Sequence, residues 1–249
     1  FEAQVLPYLE RDYELLAPNQ IWNADHAVFD VFVKDPLTGE VFRPWFTAYQ
    51  DMRTRRIVGG VVCRTPSSAS ILAAFVVAAR RYGVPDCVYQ DNGRDFSGRR
   101  IAGGIIGRWR LTAYQREQLE GECDGLYRLL GVRAVFAQPA NARAKSIERF
   151  FGTLERDFER MLLQGYCGPR PADRPEGAMA DRKAGRLLTL PEFERLLSGW
   201  VEDVYHRRPH HGHGMGGRSP DEVWNAYVDE GLVLRKPSAQ VLALLLRET

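Results

Sequence analysis

Three carboxylates in this 249-residue chain, Asp25, Asp91 and Glu148, have the types and surroundings that suit chemistry. Asp25 sits inside IWNADHAVFDVFV (21–33), a stretch so rich in aromatic and β-branched residues that it reads as a strand. A carboxylate there is costly to bury unless it is paired, protonated or metal-bound. Asp91 closes the apolar run CVYQ, and Asn92-Gly93 then lets the chain leave the sheet sharply. Glu148 lies in ARAKSIERFFGTLERDF (142–158), at the flank of an apolar stripe formed by Ile147, Phe150, Phe151 and Leu154. Three carboxylates from two strands and one helix suit hard, oxygen-seeking cations such as Mg²⁺ or Mn²⁺. Two such ions held about 3.5–4 Å apart serve phosphoryl transfer with no nucleophilic side chain. Each residue alone also has an ordinary reading. Asp25 would be a hydrogen-bonded structural aspartate, Asp91 a turn residue, and Glu148 a surface glutamate of an amphipathic helix. The set is stronger than its members because order, element type and flanking residues agree at once.

The elements that must position these groups follow from the pattern. The strand at 21–33 leads through the turn KDPLTGE (34–40) to a second strand at 42–51. A tight polar turn, DMRTRR (51–56), leads to a third strand at 57–64, completing an antiparallel meander. Pro66-Ser67-Ser68 opens an apolar helix that stops at Gly83, with serine as the cap. A fourth strand ends at Asp91, and the strand–helix–strand crossover makes it parallel to its partner. Ligands gather at the carboxyl edge of parallel strands, so Asp25 on the central strand and Asp91 can meet there. A glycine-rich loop at 97–110, a helix at 111–131, a fifth strand at 132–138 and a helix at 142–164 come next. The Gly/Pro-rich segment 165–186 reads as a long surface loop. Thr189 and Ser219-Pro220 begin two further helices. The expected fold is α/β, with three antiparallel strands, then parallel strands, and helices on both faces. Residues 1–18 read as an N-terminal linker or arm, 19–228 as the core, and 229–249 as the start of a truncated C-terminal module.

The bulk numbers exclude little. The net charge of +2 does not announce a nucleic-acid binder. Six arginines lie between Asp91 and Glu117, either to track a phosphate backbone or as a solvated surface. The four cysteines (Cys63, Cys87, Cys123 and Cys167) are far apart and form neither a zinc ribbon nor a disulfide framework, which fits reduced thiols in a cytosolic compartment. No signal peptide or membrane span is visible. The chain begins at Phe1, as an excised piece of something longer would. His206, His210, His211 and His213 fall in a Gly/Pro-rich turn without metal-ligand spacing and read as a turn packed on the core rather than a transition-metal site.

Four segments in order carry a resemblance: Trp22-Asn23-Ala24-Asp25; Gln90-Asp91-Asn92-Gly93 before Phe96; Lys145-Ser146-Ile147-Glu148-Arg149-Phe150; and YHRRPHHGHGMGGRSPDEVW (205–224). Together they resemble the DDE transposase or integrase catalytic core of the RNase H-like fold, and most of all the phage Mu-type transposases. The likeness covers about residues 19–228. The 57 residues from Asp91 to Glu148 exceed the short gap of retroviral and many insertion-sequence enzymes, and the insert is about 97–131. The resemblance implies an RNase H-like mixed five-stranded sheet and a DNA transposase that uses two Mg²⁺ (or Mn²⁺) ions per site. Such enzymes cut at a transposon 3′ end with water, and the freed 3′-hydroxyl then attacks target DNA. Asp25 would bridge the two ions, with Asp91 and Glu148 each completing one site. Lys145, Arg149, Arg94 and Asn92 are the candidates for DNA contact. The implied partners are transposon-end and target DNA, further copies of the chain in a DNA-bound multimer, and an ATPase target selector. The implied setting is the cytoplasm, in a bacterial or phage-encoded protein. Two alternatives keep the same residues: a metal-dependent nuclease of this fold without joining activity, and an inactive core retained as a DNA-binding or assembly module.

Overall fold

The computed structural model describes residues 13–90, 126–136, 146–162, 164–175 and 177–242. Strands β1 (Ile21–Val28), β2 (Val33–Lys34), β3 (Val41–Phe42), β4 (Trp45–Asp51) and β5 (Ile57–Cys63) precede helix α1 (Ser68–Tyr82). Then come β6 (Cys87–Gln90), α2 (Leu126–Leu129), β7 (Arg133–Phe136), α3 (Ser146–Asp157), α4 (Ala178–Ala184), α5 (Leu190–Trp200) and α6 (Pro220–Asp229). The main sheet has the order β5-β4-β1-β6-β7. β1 is central, antiparallel to β4 and parallel to β6; β4 and β5 are antiparallel, β6 and β7 parallel. This is the mixed five-stranded, RNase H-like α/β sheet that the sequence implied.

Local chemistry explains the element ends. Ser67 caps α1 in a reciprocal pair with Ser70, and Gly83, at φ +77°, ends it. At Gly59 of β5 an added Cβ would lie 2.6 Å from the Ala74 carbonyl oxygen, so strand and helix approach as closely as glycine permits. α1 packs on one face of the sheet with Trp22, Ala24, Tyr49 and Val88. α3 and α5 pack on the other, with Phe46, Ala48, Phe150 and Phe193.

The first strand is shorter than its composition suggests. β1 pairs with β4 as far as Val28–Trp45, and the next residue on β4's side is Pro44, which has no N–H to give the ladder. Phe29 donates to the Pro44 carbonyl, and the chain bends away at Asp30. The segment 165–186 is also more than a surface loop. Tyr166 bridges Val31, Cys167 is buried against Phe32, and α4 lies within it.

The turn 51–56 differs most from its sequence reading. Arg53, Arg55 and Arg56 are only 6, 8 and 8% exposed. Arg53 donates to the Gly214 carbonyl and the Tyr227 hydroxyl. Arg56 donates to the Tyr82 hydroxyl and pairs with Asp221 and Glu202. This turn anchors residues 202–227 to the sheet. Residues 232–242 dock on the α1 side, where Leu242 is buried and Arg235 donates to the Pro85 carbonyl. Among the described residues no helix is long and apolar enough to cross a membrane.

Candidate active site

Alternation along β1 sends Trp22 and Ala24 toward α1 and Asn23 and Asp25 toward α3. Asn23 fixes the second direction. It is fully buried, and its Nδ2 donates to Ser146 Oγ at 2.8 Å. Ser146 is the first residue of α3, and its hydroxyl donates to Gln50 Oε1 at 2.7 Å. Gln50 is the register partner of Asn23 on β4, and its Nε2 donates to the Arg55 carbonyl and the Tyr205 hydroxyl, each at 3.1 Å. One polar chain therefore ties β1, β4 and the start of α3 to Tyr205.

A second tie holds the far end. The Asp30 N–H, just past β1, donates to the Glu159 carboxylate at 2.5 Å, just past α3. Helix α3 thus runs alongside β1 in the same direction. The two lengths agree: from 23 to 30 an extended chain covers about 23 Å, and from 146 to 159 a helix covers about 20 Å. Asp25 is two residues beyond Asn23 and Glu148 two beyond Ser146, so both stand at the same end of this pair. Asp25 is half-buried, with one carboxylate oxygen accepting from the His26 N–H at 2.9 Å, and Glu148 is exposed at the flank of the buried stripe.

Strand β6 reaches the same region. Gln90 pairs in register with Ala24 and is fully buried. Its Oε1 accepts from the Tyr127 hydroxyl at 2.9 Å, which meets the Tyr49 hydroxyl at 2.9 Å. Burial raises both tyrosine pKa values, which keeps these groups neutral. Asp91, Asn92, Arg94 and Lys145 lie outside the described residues, as do the insert up to residue 125 and residues 1–12 of the expected arm.

Arg149, next to Glu148, is exposed and lines a cleft of about 610 Å³ with Ser146, Gln50 and Arg55. The histidines have a structural task. His206 is fully buried, its Nε2 accepts from the Ile57 N–H at 3.0 Å, and its Nδ1 faces Glu202 at 3.4 Å. Burial lowers its pKa, and the Glu202 hydrogen bond opposes that. Burial takes His210 down to about 4, and its Nε2 meets the Tyr205 carbonyl at 3.2 Å. The turn packs on the core through these two rings.

A divalent cation fits the carboxylate edge by the chemistry of its donors, which are oxygens from a strand and a helix end. The buried Asn23 Oδ1, two residues before Asp25 on β1, has no hydrogen-bond partner. Among the described residues no three His, Cys, Asp or Glu side chains converge on one point; the third carboxylate, Asp91, lies outside them.

Asn23, Gln90, Ser146 and Tyr205 fall in the matching sequence segments without a role assigned to them, and Gln50 and Tyr127 fall outside those segments; together they tie β1, β4, β6 and α3 around the candidate site. The one available signal was the glutamines inside apolar strands, because a buried amide must find partners.

Over residues 13–207 the chain matches the family described as Bacteriophage Mu transposase. It is 24% identical over 226 residues to the transposase for transposon Tn552 of Staphylococcus aureus, covering 84% of this chain and 40% of that protein. It is 27% identical over 182 residues to the Mu-like prophage FluMu transposase A of Haemophilus influenzae, covering 70% of this chain and 26% of that protein. The match thus spans less than half the length of either relative. Among solved structures, the HTLV-2 integrase catalytic core domain in complex with magnesium aligns at a TM-score of 0.47 and 12% identity, covering 84% of this chain and 97% of that one.

Proposed function

This chain belongs to the bacteriophage Mu transposase family, and we propose that it is the catalytic core of a DNA recombinase that cuts a transposon 3′ end and joins it to target DNA. In this reading Asp25, Asp91 and Glu148 hold two Mg²⁺ or Mn²⁺ ions. Each of the three would supply carboxylate oxygens to the ions. Bound there, such ions activate the attacking oxygen and stabilise the leaving oxygen.

The observation that supports the proposal is the tie between Ser146 and Asn23, which holds the start of α3, two residues before Glu148, against the strand that carries Asp25. Asp91 follows Gln90, whose register partner Ala24 precedes Asp25. Gln90, the last described residue of β6, bonds Tyr127 of the α1-side core.

The chain's residues would then hold and orient. Asn23, Ser146 and Gln50 keep the start of α3 in register with β1, and Tyr127 keeps the end of β6 in place. In the first step water attacks a phosphodiester phosphorus and the 3′-oxygen departs, leaving a 3′-hydroxyl and a 5′-phosphate. In the second step that 3′-oxygen attacks a phosphorus of target DNA and displaces a target 3′-oxygen, so one P–O bond forms for each that breaks. Arg149, with Lys145, Arg94 and Asn92, would grip phosphates near the reacting centre. Activity would require a DNA-bound multimer.

The test is an assay of Mg²⁺-dependent cleavage and strand transfer on DNA carrying the transposon ends. Asp25→Asn, Asp91→Asn and Glu148→Gln should each abolish both reactions while the fold persists. Full strand transfer by any one variant removes that residue from the site. Cut but never joined products would instead identify a nuclease.

A further inference from the structure

The cleft beside α3 carries charge that its own residues do not balance. Arg55, Arg149, Arg156 and Arg208 line it against one carboxylate, Asp157, so the formal balance is 4 − 1 = +3. Asp157 is already committed, accepting from Arg156 Nε at 2.7 Å and from Arg208 Nη1 at 2.6 Å. Among the described residues, neither Arg55 nor Arg149 forms a salt bridge, and the carboxyl group that Arg55 feels is the buried Asp51 of its own turn.

Arg55 is the unusual member. It is 92% buried by its exposure of 8%, and its Nη1 has no hydrogen-bond partner. Its Nη2 donates to the His213 carbonyl at 3.4 Å, and its guanidinium lies over the Tyr13 ring at 4.2 Å and interacts with that phenol. Its backbone is left-handed, at φ +63°, where a non-glycine residue is strained. Strain kept at a non-glycine position points to work done by the side chain. Burial lowers the pKa of Arg55, and the charge of Arg149 lowers it further against the help of the Tyr13 and Tyr205 phenols. A buried cation with a like charge beside it is costly, and an anion between the two relieves both terms. Guanidinium groups bind phosphate through paired N–H donors, which matches an arginine with donors to spare.

We propose that this cleft seats a backbone phosphate of the DNA, gripped by Arg55 from below and by Arg149 from the α3 side, a short step along the strand from the phosphodiester held at the carboxylates. The proposal rests on the recombinase reading. The cleft is continuous with the carboxylate edge: Ser146 and Gln50 line it, and Gln50's register partner Asn23 is two residues from Asp25. DNA is favoured over a free anion because the cleft opens onto the place where DNA must lie.

The experiment measures binding of a fluorescein-labelled DNA duplex by anisotropy between 50 and 200 mM NaCl, without divalent cation. Wild type is compared with Arg149→Ala, Arg55→Gln, Arg55→Lys and Thr153→Glu, which places a carboxylate in the cleft. Arg186→Ala, whose side chain pairs with Asp181 beside α4, is the control. Thermal melts establish which variants fold. Arg149→Ala, Arg55→Gln and Thr153→Glu should weaken binding by about three- to tenfold near 100 mM salt. Each should also make the salt dependence shallower by about one phosphate contact. Arg55→Lys should keep the salt dependence, and Arg186→Ala should match wild type. If the Arg55 variants do not fold, Arg149→Ala and Thr153→Glu decide. Unchanged affinity and salt dependence in the folded variants overturns the proposal. So does a melting temperature raised by inorganic phosphate in wild type and not in Arg55→Gln, if DNA binding is the same in both; that result marks a free-phosphate site. Asp25→Asn separates this proposal from the one it rests on, because it should keep DNA binding and lose cleavage. Cleavage by Asp25→Asn would sink the recombinase reading, whereas unaltered DNA binding in the cleft variants sinks only the phosphate seat.

Discussion

Strand β1 and helix α3 place two pairs of carboxylates in this molecule, one at each end of their shared length. Asp30 and Glu159 meet at the far end, both buried, with the Asp30 N–H on the Glu159 carboxylate and Arg43 paired to Asp30. Burial raises the pKa of both and takes Glu159 to about 8, so at neutral pH this glutamate is mostly protonated. Asp25 and Glu148 stand at the near end, half-buried and exposed, beside Arg149 and a cleft of unbalanced positive charge. The same two elements supply both pairs. A carboxyl sealed from water becomes a neutral strut, whereas Asp25 and Glu148 are open to solvent. The Glu159 end fixes where α3 lies, and in the proposed site the Glu148 end would use that placement.

The comparison breaks most directly through activity. Asp25→Asn or Glu148→Gln should cut strand transfer by about 10³-fold or more, since each removes a ligand of the charge-stabilising centre. Glu159→Gln should leave it within a few-fold. Equal losses at the two ends would erase the distinction. A smaller effect is expected at the tie between strand and helix. Ser146→Ala leaves the Asn23 and Gln50 amides buried without their partner, at about 1–3 kcal/mol of stability. Because the start of α3 then loosens, activity should fall by up to about 10²-fold, and denaturant melts alongside transfer assays check both.

Two pH effects sharpen the contrast further. Glu159 binds its proton more tightly folded than unfolded, where its pKa is near 4.5. Stability from this group is full below pH 4.5 and is lost as pH rises toward about 8. The slope is at most about 1.4 kcal/mol per pH unit, and Glu159→Gln should flatten it in melts across that window. His210 has the opposite sign and is partly exposed, so its effect is the smallest. Its folded pKa of about 4 lies below 6.5, so its contribution is present above pH 6.5 and is lost as pH falls toward 4. His210→Asn should reduce the acid-side loss.

Much of the fold was legible because it rests on local signals. Strand composition, the Ser67 cap, the Gly83 stop and the crossover to β6 all act within a few residues, and the sheet order followed from them. Of the candidate site, the placement of Asp25 on a strand and of Glu148 at a helix flank was legible, and the strand end expected at Asp91 lies outside the described residues. What makes it a site was not legible. Asn23 and Ser146 are 123 residues apart, and nothing local marks either as the other's partner. The turn 51–56 misled for a related reason. Its three arginines read as polar surface, yet all three are buried, and the heads of Arg53 and Arg56 are met by groups 26 to 174 residues away. The early stop of β1 had a visible cause in Pro44, but only once the pairing of 28 with 45 was known.

The central claim is that Asp25, Asp91 and Glu148 hold metal at the end of the β1–α3 pair. Anomalous diffraction from crystals soaked in Mn²⁺ tests it without relying on activity. The account predicts manganese among Asp25, Asp91 and Glu148, lost in Asp25→Asn, with none at His206–His213 or at Asp30 and Glu159. Manganese bound at the histidines or at Glu159, with the three carboxylates bare, would contradict it.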